Sequence, residues 1–209
     1  MAAFIDFVLY QLPPAPRRIL EVGCGREGGL VAALAEAGYD VLGVDPDAPD
    51  GERFVRARFE EVELGEFDAV VAGRVLHHVR PLGEGLDRLA AIAPLLVVDE
   101  FAWDLIDEAA TEWYEGQHRL LAAAGASPPG PPLLDEWRER HPDLHPHGIL
   151  LSALRERYDE TAFEWAPYLH RWLGGPASEA LETTLVGAGA VPAIGWRWAG
   201  SRRATPQSG

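Results

Sequence analysis

A compact apolar run, Arg18-Ile19-Leu20-Glu21-Val22, is followed at once by Gly23-Cys24-Gly25-Arg26-Glu27-Gly28-Gly29 and then by an Ala- and Leu-rich stretch from Leu30 to Ala37 closed by Gly38. No other feature restricts the fold as strongly. The glycines can neither extend the strand nor sit comfortably inside the helix, so the order predicts strand, tight turn, helix and glycine C-cap. The unit then repeats. Asp40-Val41-Leu42-Gly43-Val44-Asp45 reads as a buried second strand ending in the turn-rich Pro46-Asp47-Ala48-Pro49-Asp50-Gly51, and Phe54-Val55 as a short third. Phe67 to Gly73 is a strong fourth run, Leu86 to Ile92 the helix returning from it, and Leu95 to Asp99 the fifth strand. Continuous apolar strands alternating with helices predict a parallel sheet covered on both faces.

Before this series, Phe4 to Leu12 predicts a short leading helix stopped by Pro13 and Pro14. After it the chain takes a long route. Asp104 to Ala124 has helical composition with Trp113, Tyr114 and His118 at spacings that share a face, and it ends before Ser127-Pro128-Pro129-Gly130-Pro131-Pro132. Leu133 to Arg140 and Gly148 to Tyr158 predict two further helices, Glu160 to Leu173 a sixth strand, Ala177 to Gly187 a helix, and Ala193 to Trp198 a seventh strand. At 209 residues the chain suits one body with embellishments. The expectation is a single α/β domain over 1–209, a mostly parallel seven-stranded sheet with helices on both faces, and a helical lid-like insertion over 104–147 after the fifth strand.

Thirty-three acidic against eighteen basic side chains give a formal charge of −15, which repels a phosphate backbone and disfavours a nucleic-acid partner. The basic pairs Arg17-Arg18 and Arg202-Arg203 read as solvated charges near the ends. No apolar stretch reaches the ~18 to 20 residues that cross a bilayer, and the first residues carry no signal pattern. One cysteine, Cys24, excludes an internal disulfide and suits a reducing cytoplasm. The expectation is a soluble cytoplasmic protein without a membrane partner; its oligomeric state is not written in the sequence.

In an open parallel sheet, ligands bind beyond the carboxyl ends of the strands where strand order reverses. Those ends are Glu21 to Gly28, Asp45, Arg58 to Glu60, Gly73 to His78 and Asp99 to Trp103. Gly23, Gly25 and Gly28 have the G-x-G-x-x-G spacing that lets backbone approach a ligand, and Asp45, twenty residues past Gly25, is placed to accept hydrogen bonds from a ribose. Glu21 discriminates among adenosine cofactors: a carboxylate before the glycines repels a pyrophosphate but complements a sulfonium and an ammonium. A salt bridge from Glu21 to Arg17 or Arg18 is the bland alternative.

Ile19-Leu20-Glu21-Val22-Gly23-Cys24-Gly25 resembles the first motif of class I S-adenosylmethionine-dependent methyltransferases. Val41 to Asp45 resembles their second motif, and Phe67 to Val71 with Val75-Leu76-His77-His78-Val79 the fourth-strand segment of their small-molecule branch, in matching order over roughly residues 17 to 100. The resemblance implies a Rossmann-like fold and methyl transfer from S-adenosylmethionine to a small-molecule acceptor. The cofactor set it implies is Glu21, Gly23, Cys24, Gly25, Asp45, Pro46, Phe59, Glu60 and Gly73, with Gly23 and Gly25 at the methionine portion, Asp45 at the ribose and Gly73 beside the sulfonium. Arg58-Phe59 stand where many relatives carry an Asp-Ala or Asp-Val pair at the adenine, followed here by Glu60.

Methyl transfer needs alignment and exclusion of water, and a base only when the acceptor must lose a proton. The candidates are His77, His78, Glu100 and His118, with His170 behind them; Glu100 is expected to face the cleft, and the bland alternatives are loop, surface or core roles. His141, His145 and His147 form no metal set, since Pro142, Pro146 and Gly148 make their segment irregular and no cysteine completes it; no metal is expected. Two rivals share the glycine loop. A nicotinamide-dependent oxidoreductase must explain Glu21 and a chain without lysine, and a catalytically silent binding subunit differs only in turnover.

Overall fold

The apolar runs and turn residues become a regular alternation in the computed structural model, which describes residues 2–203, the side chains of the first two excepted. The elements are α1 (Ala2–Gln11), β1 (Arg18–Val22), α2 (Val31–Glu36), β2 (Asp40–Asp45), β3 (Phe54–Arg56), β4 (Ala69–Gly73), α3 (Leu82–Ile92) and β5 (Leu95–Phe101). There follow α4 (Glu108–Ala123), α5 (Leu134–Arg140), α6 (His147–Arg157), β6 (Tyr158–Ala166), α7 (His170–Leu173), α8 (Pro176–Gly187) and β7 (Gly195–Arg202). The seven strands form one sheet in the order β3-β2-β1-β4-β5-β7-β6.

The pairs β1–β2, β2–β3, β1–β4 and β4–β5 are parallel, with Glu21 opposite Gly43 on one side and Val71 on the other. β7 runs against its neighbours: Arg202 N–H meets Pro94 O before β5, Ile194 O receives Ala102 N–H after it, and Arg203 N–H meets Arg157 O before β6. Strand order therefore reverses between β1 and β4, and a crevice opens there beyond their carboxyl ends. This is the Rossmann-like, mostly parallel seven-stranded sheet expected from the sequence.

By contacts the chain groups into two compact units. Among the described residues the first comprises 2–100, 148–164 and 197–203. Its core joins Ile19, Val41, Ala69, Val71 and Val97 of the sheet to Val8 of α1 and Val31 and Leu34 of α2. The second comprises 101–147 and 165–196, so the predicted insertion over 104–147 is grouped with a later segment. Aromatic packing explains the grouping: Phe101 stacks on Tyr168 at 4.5 Å, and Trp172 lies against Phe101, Tyr114, Trp137 and Tyr168.

Two boundaries differ from expectation for identifiable reasons. The sixth strand stops at Ala166 because Pro167 has no N–H to donate, and the next three N–H groups, of Tyr168, Leu169 and His170, go to the Glu182 carboxylate and start α7. The helix expected from Asp104 starts at Glu108, where Asp107 caps the Ala110 N–H at 2.8 Å; a single 3₁₀ turn, Trp103–Leu105, precedes it. Among the described residues no helix is long and apolar enough to cross a membrane.

Candidate functional site

A cleft of about 220 Å³ opens in the first unit, lined by Gly23, Val44, Asp45, Pro46, Ala57, Arg58, Phe59, Glu60, Arg74, Val75, His78 and Val79. Every one of these follows or ends β1, β2, β3 or β4, where the sheet topology predicts a ligand. Of the residues singled out in the sequence, Gly23, Asp45, Pro46, Phe59, Glu60 and His78 meet here. Glu21, Cys24, Gly25, Gly73, His77, Glu100 and His118 are not on its lining.

Gly23 is the closest approach. Its φ is +81°, and a Cβ there would lie 2.8 Å from Val75 Cβ and 3.0 Å from Gly73 O, so glycine is required both by conformation and by the neighbouring strand end. Gly73 thus shapes the site by supporting this turn. Asp45 ends β2 with one carboxylate oxygen accepting the Asp47 N–H at 2.7 Å, which orients its side chain. Phe59 is buried, and Arg88 of α3 donates to the carbonyls of Phe59 and Val62, holding the segment that carries Phe59 and Glu60.

Glu21 lies under the glycine loop rather than on the cleft. It is 3% exposed, both its carboxylate oxygens accept the Leu30 N–H, at 2.9 and 2.8 Å, and a Cβ on Gly29 would collide with it. Its pKa is raised to about 7: burial dominates, the N–H groups of Leu30 and Val31 and the charge of Arg74 oppose it, and Asp45 adds to it. Glu21 therefore anchors the turn at the start of α2. The bland salt bridge is not what forms either, since Arg17 pairs with Asp68 and Arg18 with Asp40. Cys24 is buried, and desolvation first, then Glu21 and Asp45, push its thiol to about 12, so it is no nucleophile at neutral pH.

Glu100 does not face the cleft as expected. It is 0% exposed, and its carboxylate accepts from Leu76 N–H at 2.7 Å and His77 N–H at 3.4 Å while its other oxygen lies 2.6 Å from His77 Nδ1. The turn Leu76–His78 is thereby locked from below, with His77 buried in it and His78 exposed above, their rings 4.1 Å apart. His118, in the second unit, shares the α4 face with Tyr114 and lies 3.3 Å from Gly130 O. His170 is held by Glu182 at 2.7 Å.

His141 meets Trp137 O, His147 meets Asp104, and the His145 carbonyl accepts from Trp103. Their separate engagements leave no shared centre, and among the described residues no group of three His, Cys, Asp or Glu is arranged to hold a metal. Sequence reasoning did not select Arg74, Val75 or Val79, although the stretch that follows β4 at the reversal of strand order was the signal pointing to them.

A reversed-order parallel sheet with a glycine turn and an acidic strand end on one cleft defines a Rossmann-like α/β protein with its cleft at the switch point. The particular class comes from likeness: the methyltransferase-domain family matches residues 1–122, more than half of the chain, and the chain belongs to that family. Its catalytic class is therefore that of a methyltransferase.

Similar solved structures include an S-adenosylmethionine-dependent methyltransferase from Mesorhizobium loti, 20% identical over 95% of this chain and 96% of that one, TM-score 0.58. A geranyl diphosphate C-methyltransferase from Streptomyces coelicolor A3(2), in complex with Mg2+, geranyl diphosphate and S-adenosyl-L-homocysteine, is 14% identical over 97% and 79%, TM-score 0.61. Magnesium protoporphyrin IX methyltransferase from Synechocystis PCC 6803 with bound SAH is 15% identical over 97% and 81%, TM-score 0.55. No curated protein sequence matches the chain.

Proposed function

We propose that this cleft binds S-adenosylmethionine and that the protein passes its methyl group, in line, to a small-molecule acceptor in the cytoplasm. The observation that carries the reading is the meeting of Gly23, Asp45, Phe59 and Glu60 on one cleft at the reversal of strand order. Asp45 takes the ribose hydroxyls, the Phe59 face and Glu60 take the adenine, and the backbone at Gly23, in the turn that Gly25 continues beyond the lining, takes the methionine portion. When bound, the cofactor supplies a carbon already activated by its sulfonium, so the protein's part is alignment and exclusion of water.

His78, exposed on the cleft, is the side chain placed to receive a proton from an acceptor that must lose one. His77 and Glu100 act through it as positioning residues, because their mutual bond and the two backbone bonds fix the turn that carries His78. The charge of −15 favours a small molecule over a nucleic acid. Small-molecule acceptors are also what the Streptomyces and Synechocystis neighbours are named for.

Calorimetry with S-adenosylmethionine, S-adenosylhomocysteine and NAD tests the cofactor. The expected result is binding of the first two, weakened by about 1.5 to 3 kcal/mol in Asp45→Ala through loss of charge-assisted hydrogen bonds. Binding of NAD alone overturns the reading. Cofactor binding without turnover across a broad metabolite panel favours the silent subunit instead.

A further inference from the structure

Two arginines line the cleft, and they differ in how their charge is spent. Arg58 donates to Glu60 at 3.0 Å and lies 3.9 Å from Glu61, so its guanidinium is neutralised by its own loop. Arg74 is exposed and has no hydrogen-bond or ion-pair partner for its guanidinium among the described residues; the charge that influences it, on Glu21, is committed to the Leu30 N–H beneath the glycine turn. The chain contains no lysine, so a cation in this cleft can come only from arginine or a protonated histidine.

The backbone at Arg74 reinforces the point. Its φ is +57°, and it is the one non-glycine residue with a positive φ among the described residues. A left-handed conformation costs a residue with a Cβ about 1 kcal/mol or more, and Gly or Asn is the usual occupant. Its N–H is held by Asp99 O at 2.7 Å, which fixes the direction in which the side chain leaves β4. A strained position beside a cleft that carries a long cationic side chain in place of glycine points to a use for that side chain.

We infer that the Arg74 guanidinium binds a carboxylate in the cleft. The inference rests on the methyltransferase reading of this site and adds the group it recognises. Asp45 and Glu60 on the same wall suit hydroxyl and amine donors, and Arg74 is the complementary element for an acid, which its planar fork can take through two parallel N–H···O bonds. The carboxylate has two sources, the amino-acid tail of the cofactor or an acidic acceptor.

The test uses the whole protein, Arg74→Gln and Arg74→Lys, with thermal melting as the folding control. Calorimetry compares S-adenosylhomocysteine with 5′-methylthioadenosine, which has the nucleoside and thioether but no amino-acid tail. Saturation-transfer NMR on the S-adenosylhomocysteine-loaded protein then compares benzoate, indole-3-acetate and octanoate with their primary amides. A loss of tenfold or more for S-adenosylhomocysteine in Arg74→Gln, with 5′-methylthioadenosine within twofold, supports the inference and assigns the carboxylate to the cofactor.

S-adenosylhomocysteine within twofold, together with an acid bound at least tenfold more tightly than its amide and lost in Arg74→Gln but partly kept in Arg74→Lys, supports it and assigns the carboxylate to the acceptor. Arg74→Gln leaving S-adenosylhomocysteine within twofold while no acid binds, or changing acids and amides alike, overturns it. If neither nucleoside binds the wild type, the cofactor reading fails by itself, and the acid and amide comparison on the unloaded protein still decides the role of Arg74.

Discussion

Each of the two units contains a buried Glu–His pair built to the same plan. In the first unit Glu100 accepts the backbone N–H groups of Leu76 and His77 and lies 2.6 Å from His77 Nδ1. In the second, Glu182 accepts from Tyr168, Leu169 and His170 and lies 2.7 Å from His170 Nδ1. The surroundings differ. The first turn continues into His78 and Val79 on the cleft, whereas the second starts α7 inside an aromatic cluster of Phe101, Tyr114, Tyr168 and Trp172. A close Glu–His contact therefore identifies a locked turn, not a catalytic dyad; function depends on what the locked turn carries.

The largest expected effect tests that equivalence. Glu182→Ala strands three buried N–H groups and an imidazole and should cost about 3 to 5 kcal/mol of unfolding free energy by urea titration. Glu100→Ala, which removes the acceptor of the Leu76 N–H and of the longer 3.4 Å bond from His77 N–H, should cost about 2 to 4 kcal/mol. Binding separates the two pairs: Glu100→Ala weakens S-adenosylhomocysteine by tenfold or more, and Glu182→Ala, measured at a temperature where it is folded, leaves it within threefold. Equal losses of affinity would show that the turn beneath His78 has no special link to the cleft.

A third buried carboxylate extends the comparison, because Glu21 also clamps a backbone N–H but titrates near neutrality. Its folded pKa of about 7 lies above its ordinary 4.5. Between those values the folded protein holds a proton that the unfolded chain has released, so this group's contribution is complete below pH 4.5 and is lost as pH rises through 7. The decrease should approach about 3 kcal/mol between pH 4.5 and 8. Glu21→Gln should flatten it; an unchanged slope in the variant would assign the pH dependence to other groups.

The first hundred residues were legible because each strand there is an apolar run ended by turn chemistry, and the sheet order then fixes which ends converge. Asp45, Gly23, Phe59 and Glu60 could be placed on the cleft by that logic alone. Glu21 and Glu100 were misplaced as cleft-facing for one reason: sequence shows that a carboxylate follows a strand but not which way its side chain turns, and both turn inward toward unsatisfied backbone donors. The end of β6 was hidden for the same cause, since Glu182 lies sixteen residues beyond Ala166 and its bonds to 168–170 are invisible locally. The second unit was illegible as a unit because its two segments are joined by Trp, Tyr and Phe contacts between residues 101–137 and 165–196, which no spacing encodes.

The smallest effect sharpens the contrast between the two locked turns at the level of the backbone. The turn fixed by Glu100 follows a non-glycine residue in the left-handed region, Arg74, while the left-handed positions after α7 are both glycines, Gly174 and Gly175. Strain that serves packing would be relieved by evolution's ordinary choice of glycine, as it is after α7; strain retained at the cleft implies that the side chain matters more than the conformation. Arg74→Gly should therefore raise the unfolding free energy by about 0.5 to 1 kcal/mol in urea, while Gly174→Ala should lower it by a similar amount or more. A destabilised Arg74→Gly would mean that the arginine is held there by packing, and the left-handed backbone would then lose its connection with ligand recognition.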